Sequence, residues 1–122
     1  MSKKIFTDAF FSQFHDFLEQ LSKVFPEDSD YPAYTVGLTL LQHANPGMVI
    51  SAFKTHVFPF EEMIMSKNSD FFMKHDFSDY TSDDTLGQII GKLKNQWVEL
   101  SENNKTCIWN YINLILNLAK RL

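Results

Sequence analysis

A single cysteine, Cys107, is the only thiol in the chain, so an internal disulfide framework is excluded. Set beside Ile108 and Trp109 on a helical pattern, it is expected to be a small buried hydrophobe. Arginine is almost missing: Arg121 stands alone, and acidic residues outnumber basic ones 15 to 11 for a net charge of −4. Holding a phosphate backbone needs clustered Lys or Arg, and only the terminal pairs Lys3-Lys4 and Lys120-Arg121 approach that. No nucleic-acid partner is therefore expected. No window nears the roughly 20 apolar residues of a bilayer-crossing helix, so no membrane span is expected. The N-terminal residues carry no apolar core of a secretory signal, which predicts an intracellular protein. The four glycines are scattered and match neither phosphate-binding pattern. Strand-like alternation, internal repeats and low-complexity tracts are also missing.

Phenylalanine is what the chain has in quantity, with twelve among 122 residues. Each large ring hides roughly 150–250 Å² when buried. Such a chain is organised around a core or an apolar docking surface. The apolar residues recur at three and four, which predicts an all-α, compact single-domain bundle of five or six helices spanning residues 1–122.

The first helix is predicted from about Thr7 to Val24, capped by Thr7 or Asp8. Phe10, Phe14, Phe17, Leu18, Leu21, Val24 and Phe25 form its stripe, Phe11 lies at its edge and Pro26 stops it. A second begins near Pro32, with Tyr34, Leu38 and Leu41 inward. Gly37 within it suggests close approach by another helix. Asn45-Pro46 reads as a cap followed by a first-turn proline, and opens a third helix through Val49, Ile50, Phe53 and Val57. Glu61 to Met65 fits a short fourth helix. Residues 70–85 read as a long loop with at most one helical turn. A fifth helix is expected from Asp83 or Asp84, with Leu86, Ile89, Ile90, Leu93, Trp97 and Leu100 on one arc. Ser101 caps a last helix to Leu122, the most apolar, which is read as central and packed by the first, third and fifth. The expected core anchors are Phe14, Phe53, Trp97, Ile108, Trp109, Tyr111, Ile112 and Ile115. The row Asn110, Asn113 and Asn117 is read as facing water, or else as hydrogen-bonding a partner helix.

Chemistry is harder to find. None of His15, His43, His56 and His75 forms the paired motif of a metallopeptidase helix. His75, Asp76 and Asp79 are the nearest thing to a metal-binding or catalytic group. Asp76, Ser78 and Tyr80 have calcium-loop spacing, but Thr81 stands where that loop needs glycine and Gly87 where it needs glutamate. Glu61 and Glu62 are adjacent and diverge on a helix. No catalytic residue, cofactor or metal is assigned, and the chain is expected not to be an enzyme. The candidate partner-binding residues are Phe71, Phe72, Phe77 and Tyr80, unless these rings fold back to close the core.

Phe25-Pro26-Glu27-Asp28, Asn45-Pro46, Asp70-Phe71-Phe72 and Lys105 with Ile108-Trp109-x-Tyr111 together resemble a group of small uncharacterised helical proteins of large DNA viruses of algae and protists. The resemblance covers nearly the whole chain and implies a viral origin, with host cytoplasm or virion as the setting. It carries over no catalytic residue. The leading functional expectation is a non-enzymatic interaction or scaffold protein, working on a protein partner or by self-association. The aromatic loop or the C-terminal helix would form the contact. A helical groove for an amphipathic partner helix is the first alternative, and a metal site or enzyme at His75, Asp76 and Asp79 the second.

Overall fold

A computed structural model describes residues 2–75 and 85–122. Among these there are seven α-helices and no strand, in a compact all-α arrangement. They are α1 (Ser2–Val24), α2 (Asp30–Ala44), α3 (Pro46–Val57), α4 (Glu61–Met65), α5 (Ser69–Lys74), α6 (Thr85–Gln96) and α7 (Glu102–Ala119). Single 3-10 turns, Phe58–Phe60 and Trp97–Glu99, follow α3 and α6. Asp76, Phe77, Asp79 and Tyr80, and the predicted helix start at Asp83 or Asp84, lie outside the described residues.

Helix α1 starts ahead of Thr7, so neither Thr7 nor Asp8 is its cap. The added turn carries Phe6, over whose ring the Arg121 guanidinium lies, 5.3 Å from its centre. Residues Phe10, Phe11, Phe14, Phe17, Leu18 and Leu21 are all buried. Phe11 is inside because α1 is covered by α7 on one side and α2 on another. Phe10 meets Phe11, Phe14 and Phe53 edge-on, with ring centres 5.1, 6.0 and 5.3 Å away. Such edge-to-face contacts add to the area they bury.

Asp28 starts α2 from outside it, since its Oδ1 accepts the Asp30 amide at 3.0 Å. The helix therefore begins ahead of Pro32, which sits in the first turn where a missing N–H leaves no bond unmade. The Asn45 side chain accepts the Met48 amide, as predicted, and Ser101 likewise accepts that of Asn104. Helix α4 has its predicted bounds. The loop predicted from Asp70 instead opens with α5, capped by Asn68, whose Oδ1 accepts the Phe71 amide at 3.0 Å. Lys67 just before it takes a left-handed turn with φ of 54°.

Helix α7 packs on α1, α3 and α4. Helix α6 lies against α2 and α3, and reaches α7 through the 3-10 turn that follows it, where Trp97 meets Trp109 at 5.4 Å. Among the anchors, Phe14, Phe53, Trp97, Ile108, Trp109 and Ile115 are buried, while Tyr111 and Ile112 are half-buried against the core. One strip of α7 stays open: Cys107 is exposed, which corrects the expectation of a buried thiol. Asn110, Leu114 and Asn117 share that strip. Asn113 does not face water alone, because its Nδ2 donates to the Ile64 carbonyl at 2.9 Å and ties α7 to α4.

Among the described residues Gly37 is not a close-approach site. A Cβ built there meets no atom within 4 Å. Gly37→Ala should thus raise the unfolding free energy of the monomer by about 0.5–1 kcal/mol, since alanine lowers the entropy of the unfolded helix. Urea denaturation of dilute protein checks this.

Candidate interaction surfaces

The densest polar group joins the segment between α1 and α2 to α6. Lys92 Nζ donates to both oxygens of Asp28, at 3.2 and 3.0 Å, and also pairs with Asp30. Gln96 Nε2 donates to Asp28 Oδ2 at 2.8 Å, and the Tyr31 hydroxyl donates to Gln96 Oε1. The Asp30 amide and then Lys92 hold the Asp28 carboxyl below its usual range. Hydrogen bonding to Asp30 raises the Lys92 ammonium, against the opposing effect of burial. Burial pushes the Tyr31 hydroxyl upward, with the Asp28 charge adding to it. Tyr31, Gln96, Asp28 and Lys92 are joined in one chain of bonds, which is how a fold ties distant segments together.

The raised pKa of Tyr31 means that the folded state keeps a proton the unfolded chain gives up above its ordinary value of 10.0. Lys92 behaves likewise, its contribution being full below 10.5 and lost as pH rises through the folded value. Asp28 works the opposite way, contributing above 3.8 and losing its contribution as pH falls through its depressed value. Melting temperature should fall between about pH 10 and 12, and Tyr31→Phe should flatten part of that fall.

The predicted aromatic site divides. Phe72 is 8 % exposed and stands in a ring triad, 5.1 Å from Trp97 and 6.1 Å from Trp109. It belongs to the core and is withdrawn as a partner-binding residue. The adjacent Phe71 is 43 % exposed, stacked on His75 at 5.3 Å and tilted against Phe60 at 6.5 Å. Successive residues of a helix point about 100° apart, so one ring goes in and the next out. Phe77 and Tyr80 lie outside the described residues. So do Asp76 and Asp79, which leaves His75 as the one described member of the candidate metal group. Among the described residues no three His, Cys, Asp or Glu side chains are placed to share a metal ion.

A surface that the predictions missed lies on α2. From Tyr31 to Phe53 the chain has no Asp, Glu, Lys or Arg, its longest charge-free run. Tyr31 and Leu38 carry the inward side of α2. Its outward side also carries an apolar stripe at three-and-four spacing: Ala33, Val36, Gly37, Leu40 and Ala44. Val36 is 61 % and Leu40 66 % exposed, and Met48 at the start of α3 is exposed as well. Residues three or four apart on a helix are surface neighbours, so the stripe is continuous. Among the described residues no helix is long and apolar enough to cross a membrane. No protein-family model, curated protein or solved structure matches the chain.

Proposed function

We propose that this chain is a non-enzymatic interaction protein that associates with a second copy of itself through the outer face of α2. One observation carries the reading: α2 has apolar stripes on opposite sides, and among the described residues the outer one stays exposed at Val36 and Leu40 while the inner one is buried. A helix that is apolar on two sides is one that is contacted on two sides.

Charge selects the occupant. With a net charge of −4, two copies repel over most of their surface. The charge-free face is where that repulsion is weakest and where no ionic group must lose its water. A second copy brings the same uncharged face, so an isologous twofold contact matches it without further requirement. Helices that lie on lipid flank their apolar face with Lys and Arg, and α2 has neither. Ala33 and Gly37 are small enough to let two backbones come close at the centre of the stripe.

The test is light scattering on protein eluting from a sizing column, across a range of concentrations. The expected mass is twice the 14.2 kDa of one chain. A monomer at every concentration would overturn the proposal, as would a dimer that survives a charge on the stripe.

Phe71 supports a second reading, in which a different protein docks beside α5. Its exposed ring, backed by Phe60 and His75, is the one member of the expected aromatic contact that is both described and exposed. In that case Phe71→Ala would release the partner without changing self-association. The resemblance to viral proteins adds a viral, intracellular setting to either reading.

A further inference from the structure

The outer stripe of α2 has an uneven profile. Leu40 stands out from it, 66 % exposed. One turn earlier Gly37 has no side chain, and among the described residues a Cβ built on it would meet no atom within 4 Å. Ala33 and Ala44, towards the two ends of the stripe, are exposed and short. The stripe thus presents a knob and a hollow side by side. Ala33 also lines the open groove between α2 and α6 together with Gly87 and Gly91, so room remains on that flank.

The order of these residues along the helix carries a symmetry. Ala33, Gly37, Leu40 and Ala44 are spaced by four, three and four. Alternating steps of four and three are the seam along which two helices stay in contact side by side. The spacing also reads the same from either end, with its midpoint between Leu38 and Thr39. Two α2 helices laid antiparallel about a twofold axis at that midpoint set Leu40 against the partner's Gly37, and Ala33 against the partner's Ala44, each twice. A parallel pair sets like against like. Leu40 then crowds Leu40 while Gly37 faces Gly37 across a gap, and close packing is lost at both levels. It also brings the two exposed Asp30 carboxylates to the same end, whereas the antiparallel pair separates them by the length of the helix. Antiparallel helices further place each positive helix end beside a negative one.

We propose that self-association is antiparallel, with Leu40 of each copy seated over the partner's Gly37. This rests on the reading that a second copy covers the outer face of α2, and it adds the orientation and the two residues that select the partner. Leu40 is the knob and Gly37 the hole, and another chain would need both at the same separation to fit.

Two complementary variants test the seat. Gly37→Leu fills the hole at a position with open space in the monomer, so its helical circular dichroism should match that of the parent. Its dissociation constant should rise at least about tenfold, because the partner's Leu40 has lost its seat. Leu40→Ala removes the knob and should weaken its homodimer by about tenfold as well. Mixing the two variants restores the fit: one contact is native, and the other is the same knob and hole exchanged between chains. Native mass spectrometry of the mixture should show the heterodimer in clear excess over random pairing, with an affinity close to the parental one. Random pairing, or a Gly37→Leu homodimer of parental strength, overturns the antiparallel seat alone when Val36→Asp still breaks the parental dimer. A parental chain that is monomeric at every concentration, or a dimer that Val36→Asp leaves intact, overturns the seat and the reading beneath it together.

Discussion

Phe10→Ala should lower the unfolding free energy by about 3–5 kcal/mol, as truncating a fully buried ring does. Phe10 has 0 % exposure and its ring touches three other phenylalanines on α1 and α3. Truncation takes away the transfer energy of the ring and opens a hole beside Phe14 and Phe53. Because Phe10 sits where α1 and α3 meet, collapse to refill the hole would require moving helix axes. The higher end of the range is therefore expected. Phe10→Leu retains more of the volume and should lose less. Urea denaturation of both variants supplies the comparison, and a loss below about 1 kcal/mol for Phe10→Ala would mean that this ring junction is not the core.

The second large effect concerns association. Val36→Asp and Leu40→Asp each place a carboxylate on the outer stripe of α2. In a twofold dimer each substitution appears twice, near the symmetry axis, so two like charges are desolvated against each other. The dissociation constant should rise at least about a hundredfold, or roughly 2.7 kcal/mol. Both positions are exposed in the monomer, so the helical circular dichroism of the variants should match that of the parent at low concentration. A dimer of parental strength in both variants would remove the outer stripe from consideration. A variant that loses its helical spectrum would instead point to a structural role within the chain.

Much of the fold can be read from the spacing of rings. Three-and-four periodicity locates α1, α3 and α7, and the short polar residues Asn45 and Ser101 mark starts because their oxygens answer orphaned amides. Periodicity assigns an arc to each helix but does not say how many sides of it are covered. Phe11 is buried because α1 has two neighbours, and Cys107 is open because no described helix covers α7 on that side. The neighbouring rings Phe71 and Phe72 show the same limit: they share a composition and a segment, and only the placement of Trp97 and Trp109 decides which turns inward. Tyr31 is fully buried because its hydroxyl finds Gln96, a residue far along the chain. The α2 surface did have a signal, namely the charge-free run between Asp30 and Lys54.

Helices α4 and α5 have five and six residues, far short of the roughly 12–15 at which an isolated helix becomes even marginally stable in water. Bonds from α7 and from Lys120 just past its end hold them: Asn113 to the Ile64 carbonyl, Trp109 to Ser69, and Lys120 to Glu61. Their amide protons should therefore exchange with deuterium no more slowly than those of α7, and any event that loosens the C-terminal helix will be felt first as melting at residues 61–74.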